Sequence, residues 1–225
     1  MTTPKRIGRL IGVLLLVQMT GGFTLNFVLL QPVFTAPGGY LVNAAPNSLQ
    51  ISLAALIGLV TGLISVGIAI AALPVFRRHS ESMAYAFLAL AVADFALAAV
   101  EHTTVLSLLS LSQAYTSASA ADAAQFEALR GVVASARNWA HFVHLIVAGC
   151  AIFVLYGVLY RFVLVPRALA TFGMLAALSQ IAAVTMPLFG HAVIFLMIYP
   201  LGLAHLLLAL WLLAKGFEER PQPAG

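Results

Sequence analysis

Six long apolar runs follow one another along this chain, and nine of the eleven basic residues fall on one side of them. Lys5, Arg6, Arg9, Arg77, Arg78, Arg161, Arg167, Lys215 and Arg220 all lie on one side if every run crosses a bilayer once. Only Arg130 and Arg137 lie on the other. Short loops rich in Lys and Arg stay in the cytoplasm. Both termini are therefore expected there, which requires an even number of crossings. The count of six apolar runs meets that requirement.

Composition leaves little room for another class. The chain is 62% hydrophobic and 8% charged, where a soluble domain carries roughly 25% charged residues. Water cannot solvate that much apolar surface, so lipid takes its place. A spanning helix needs about 20 apolar residues, so 225 residues hold several spans and little else. The net charge of +4 reads as membrane-orienting charge rather than as a nucleic-acid surface. With a single cysteine, Cys150, an intrachain disulfide is excluded,.

The expected spans are about 7–30, 49–73, 82–111, 137–160, 168–186 and 191–214, forming one integral membrane domain over 1–225. The first begins with Lys5-Arg6 but is longer than a signal-peptide core of about 7–15 residues, so it is read as a retained span. The loop 31–48 has Pro32, Pro37, Gly38, Gly39 and Pro46 as turn formers and no charge,. Pro74 is expected to stop the second span. The longest connection, 112–136, places Phe126, Leu129 and Val133 at helical spacing, which reads as a short amphipathic helix or an extension of the fourth span. Ala54, Gly58 and Gly62 recur at intervals of four and let helix backbones approach closely. That face suits packing within the chain, and it is also the candidate contact for a homo-oligomer.

Three stretches carry a family resemblance. They are Arg6-Ile7-Gly8-Arg9-Leu10-Ile11-Gly12, the turn Leu164-Val165-Pro166-Arg167 with Gly173 after it, and Leu208-Ala209-Leu210-Trp211-Leu212-Leu213-Ala214-Lys215-Gly216. With the order of spans, they resemble the DUF4386 family of bacterial membrane proteins. The resemblance implies a polytopic membrane fold. The family has no agreed activity, so it implies no catalytic residue.

Ionisable groups inside spans cost about 2.5–3.5 kcal/mol each on insertion scales and persist where they are paired, hydrated or used. The third span carries Asp94, Glu101 and His102; the fourth carries Arg137, Asn138, His141 and His144; the fifth carries Gln180; the sixth carries His191 and His205. Asp94 and Glu101 are seven apart and share a helix face, as do Arg137, His141 and His144 at spacings of four and three. By helical rise, Glu101, His102, His141 and His144 all fall about 5–15 Å from the outer surface. If the two helices are neighbours, these groups meet in a polar pocket opening outward, with Arg137 at its rim and Asp94 at its floor. His205, deeper in the sixth span, is the natural partner for Asp94.

Four readings of this pocket stand side by side. Glu101, His102, His141 and His144 match the ligands of a transition metal. His144 with His102 or His205 could hold haem b between two imidazoles. Imidazoles and carboxylates could relay protons. The plainest is a set of buried hydrogen bonds and salt bridges, such as Glu101 with Arg137. No phosphate-binding glycine loop, nucleophile elbow or zinc-protease helix is present,. The expectation is an all-α six-transmembrane-helix bundle in the bacterial inner membrane, in contact with lipid and not with nucleic acid. Its pocket would bind or pass a small ligand, ion or proton through Asp94, Glu101, Arg137, Asn138 and His205. The rival is a membrane-embedded metal- or haem-dependent enzyme using the His/Glu cluster.

Overall fold

The computed structural model describes residues 3–218. Arg220 and the tail that follows it, counted above with the basic residues, lie outside the described residues. Among the described residues there is no strand. In hydrocarbon every backbone N–H must find a carbonyl within its own segment, and a helix does this without a partner. The α-helices are α1 (Pro4–Phe23), α2 (Gln31–Thr35), α3 (Gly39–Asn43), α4 (Ser48–Phe76), α5 (Glu81–Thr116), α6 (Ala123–Arg161), α7 (Arg167–Thr185) and α8 (Tyr199–Lys215). Among the described residues, six helical segments are long and apolar enough to cross a membrane.

Local chemistry moves several ends from where hydropathy alone puts them. α1 continues through a π-wound stretch, Thr24–Leu30, into α2, so Pro4–Thr35 is one span. Pro32 explains the widening: its ring crowds the carbonyl four residues back and it has no N–H to give. Pro74 does not end α4, which runs on to Phe76. The 112–136 connection is mostly helix, since α5 reaches Thr116 and α6 starts at Ala123. The amphipathic stretch is thus the first part of α6. The sixth span is shifted the other way. Gly190 caps a short 3-10 turn in the left-handed region (φ 77°), and α8 starts only at Tyr199, with Pro200 in its first turn. Residues 191–198 are apolar enough to resemble helix in sequence, but Gly190 interrupts the winding before them.

α5 has 36 residues and α6 has 39, so they are about 54 and 58 Å long. The hydrocarbon core is about 30 Å thick. The ends joined through residues 117–122 therefore extend well past the apolar part of each helix.

The described residues group into two compact units. The first comprises residues up to Val17, Ile64–Asp94 and Leu145 onward. Its core is built from one stripe per helix at four-residue spacing: Ile7, Ile11 and Leu15; Ile68, Ala72 and Phe76; Leu155 and Leu159; Ala204, Leu208 and Leu212. Phe217, just past α8, is buried against Phe76 with ring centroids 6.0 Å apart. Close approach replaces bulk where α7 meets α6. A Cβ built on Gly173 would fall on the ring of Tyr156, which is itself fully buried. Gly173→Ala is expected to cost about 1–3 kcal/mol through overpacking, measured by detergent–SDS unfolding. An unchanged midpoint would show that the ring can shift.

The second unit comprises Gln18–Leu63 and Phe95–His144. Leu25, Leu30, Val33, Tyr40, Ile51, Ala54, Val105 and Leu108 form its core. Hydrogen bonds anchor the connecting segment between α2 and α4 to α5. The Ser112 hydroxyl donates to the Leu41 carbonyl at 2.7 Å and accepts from the Ala45 amide at 2.8 Å. The Ala54, Gly58 and Gly62 face is occupied within the chain: Gly58 faces the His102 ring, and Gly62 faces Phe95 and Ala98. A second copy is not needed to cover it.

Candidate functional site

Four of the ionisable residues picked out from the sequence meet in the second unit. Glu101 on α5 is buried, and three donors from α6 converge on its carboxylate. His141 Nδ1 lies 2.9 Å from Oε1, His144 Nδ1 lies 3.0 Å from Oε2, and Arg137 Nη2 lies 3.3 Å from Oε1. The spacing 137, 141, 144 makes this possible, since residues three and four apart lie on one helix face. A carboxylate only accepts, so both imidazoles donate from Nδ1. Both oxygens are thereby satisfied, in hydrogen bonds strengthened by the charge on the acceptor. The buried charge has its counter-charge in Arg137, which is what allows it to persist away from water.

Arg137 is itself positioned by aromatic rings from outside α5 and α6. Its guanidinium carbon lies 5.3 Å from the centroid of Phe34, within cation–π range,. Phe34 stacks on Tyr40 at 4.7 Å, and the Tyr40 hydroxyl donates to the Val105 carbonyl at 3.4 Å. Burial raises the Tyr40 pKa well above that of an ordinary phenol, and the Arg137 charge only partly opposes this. The hydroxyl keeps its proton and remains a donor. Neither Phe34 nor Tyr40 was evident from the sequence. They sit around the proline- and glycine-rich connection, where no period points to a site.

The other expected site residues are placed differently. His102 does not join the cluster. Consecutive helical residues point about 100° apart, so its ring turns away from Glu101 and packs on Gly58 of α4, with Nε2 nearest to that backbone. Its buried Nδ1 has no hydrogen-bond partner among the described residues. That packing also removes the room an axial haem ligand needs at Nε2. Asn138 is exposed and only offers Oδ1 to Arg137 at 3.4 Å. Asp94 and His205 belong to the first unit and Glu101 to the second. His205 Nδ1 donates to the Leu201 carbonyl of its own helix at 3.2 Å, and its ring meets Tyr156 edge-on. Gln180 is buried in the first unit as well, and its Oε1 has no hydrogen-bond partner among the described residues.

Chemically, the group is one carboxylate and two imidazoles, each with one ligand atom, all within 4.8 Å of one another. That donor set suits borderline divalent metals. The imidazoles are only partly covered, with side-chain exposures of 27% for His141 and 20% for His144, so the cluster has an approachable side.

No curated protein matches this chain, and no solved structure does. All three stretches that carried the resemblance lie in the first unit, where Gly12 meets the backbone of α8 at Ala209 and Gly173 meets Tyr156. A family model described as a domain of unknown function, DUF4386, matches residues 10–216. That match covers most of the chain, and six helical segments among the described residues are long and apolar enough to cross a membrane, so this multi-pass membrane protein belongs to the DUF4386 family.

Proposed function

We propose that the protein is a bacterial inner-membrane protein, both termini cytoplasmic, that binds or passes a small ligand, ion or proton at the Glu101 cluster. One observation carries this reading. A buried carboxylate already neutralised by Arg137 also holds two partly exposed imidazoles in fixed orientations. The imidazoles complete the hydrogen bonding of the carboxylate and still leave each ring partly open to a ligand. Imidazole is the side chain whose proton and lone pair exchange most readily near neutral pH.

The binding half is tested by thermal melting of tag-free protein in detergent, followed through Trp139 and Trp211. Na⁺, K⁺, Mg²⁺, Zn²⁺, phosphate and acetate are added separately. A ligand present well above its dissociation constant stabilises by at least about 1 kcal/mol, which shifts the midpoint by about 2–4 °C in a chain of this size. The expected result is such a shift from at least one of them, absent in Glu101→Gln and in the double variant His141→Gln/His144→Gln. Melting that ignores every addition, or that shifts equally in the variants, removes the reading.

Orientation is tested separately. In a Cys150→Ala background, Asp122→Cys is expected to react with an impermeant maleimide on intact cells, and Arg78→Cys only after lysis. Both positions are exposed. Equal labelling of the two on intact cells would overturn the threading.

A further inference from the structure

We propose that Glu101, His141 and His144 form a site for a divalent transition-metal ion of the zinc class, and that the ion competes with the Arg137 guanidinium for the carboxylate. This deepens the binding reading above and rests on it.

The distances leave an ion within reach of all three groups. Tetrahedral bonds of about 2.0–2.2 Å set neighbouring ligand atoms roughly 3.3–3.5 Å apart. His141 Nδ1 lies 2.9 Å from one carboxylate oxygen and His144 Nδ1 lies 3.0 Å from the other, and the three ligand atoms all lie within 4.8 Å of one another, so an ion entering among them changes each separation by about 1.5 Å or less. Each imidazole then carries its proton on Nε2 and turns the Nδ1 lone pair to the metal, with no proton released. Two imidazoles and one carboxylate leave a fourth position for water or a small anion.

Charge determines the role of Arg137. A dication beside a guanidinium would be repelled, so the two cannot share Glu101 closely. Arg137 is poised to leave. Its bond to Oε1, at 3.3 Å, is the longest of the three, its Nε has no hydrogen-bond partner among the described residues, and its Nη1 already donates to Asn138 Oδ1 at 3.4 Å, a contact that does not depend on Glu101. Without the ion, the arginine supplies the missing positive charge. With it, one cation has replaced another and the imidazoles have a function that ion pairing alone does not give them.

The experiment uses tag-free, chelator-stripped protein in detergent, titrated at fixed pH with Co²⁺ followed by visible absorption, then with Zn²⁺ as competitor. The expected result is one equivalent of Co²⁺ per chain, displaced by Zn²⁺. His141→Gln and His144→Gln are each expected to weaken binding by about a hundredfold. Arg137→Gln is expected to tighten it by about tenfold or more, because the competing charge is gone. A damaged fold cannot produce that gain. Unchanged or weaker Co²⁺ binding in Arg137→Gln overturns the proposal. So does a Co²⁺ signal that survives in the double variant His141→Gln/His144→Gln, which would place it on His79 or His191. If wild-type protein ignores Co²⁺ and Zn²⁺ but another ion stabilises it through Glu101, the metal is overturned and the binding reading stands. If nothing binds, both are overturned.

Discussion

Glu101→Ala is expected to lower the stability of the purified protein by about 3 kcal/mol, read from SDS-driven unfolding in mixed micelles. The change leaves the Arg137 guanidinium without its carboxylate and two imidazoles without their acceptor. Removing one member of a buried ion pair costs about 3–5 kcal/mol. The lower end applies because Arg137 retains some exposure and can turn toward Asn138. The double variant Glu101→Gln/Arg137→Gln should recover most of the loss, since no charge is then left buried and the amides can still hydrogen-bond. A double-mutant cycle with coupling near zero would mean that the two groups do not act as a pair. A loss below about 1 kcal/mol in the alanine variant alone would point to a solvated carboxylate instead.

The second large effect is expected in the first unit, where the ends of the described chain meet. Gly216→Ala should cost about 3 kcal/mol or more. Gly216 has φ 73° and ψ −162°, a region essentially restricted to glycine, where another residue pays about 1–3 kcal/mol. A Cβ there would also stand 2.6 Å from the Lys5 carbonyl oxygen and 2.7 Å from the Lys5 Cα. That obstacle is backbone and cannot rotate away. The conformation at Gly216 turns the chain so that Phe217 is buried and the Glu218 amide donates to the Leu164 carbonyl at 2.8 Å. Gly8→Ala should behave alike, since its Cβ would lie 2.5 Å from the Phe217 nitrogen. Gly22→Ala is the control. Nothing lies within 4 Å of that position, so the gain in helix propensity, at most about 1 kcal/mol, should leave stability unchanged or raised. Equal losses at Gly216 and Gly22 would show that the end contact contributes nothing.

The two effects separate what the family pattern carries from what the candidate site carries. Gly8, Gly12, Gly173 and Gly216 all sit in the stretches that marked the family, and each allows one backbone or ring to approach another closely. Those stretches report how the first unit packs. The Glu101 cluster uses none of them.

Hydropathy and spacing alone settle that the chain is helical, that six segments among the described residues are long and apolar enough to cross a membrane, and that Arg137, His141 and His144 face one way. They do so because a helix in lipid closes its own hydrogen bonds and repeats every 3.6 residues, both properties of a single segment. Only tertiary packing decides how far each helix is rotated and which neighbour it meets. That rotation gives Glu101 to α6 and His102 to Gly58, although they are adjacent in sequence. Packing also brings Phe34 and Tyr40 to Arg137. None of these outcomes has a local signature, because each depends on the shape of another segment.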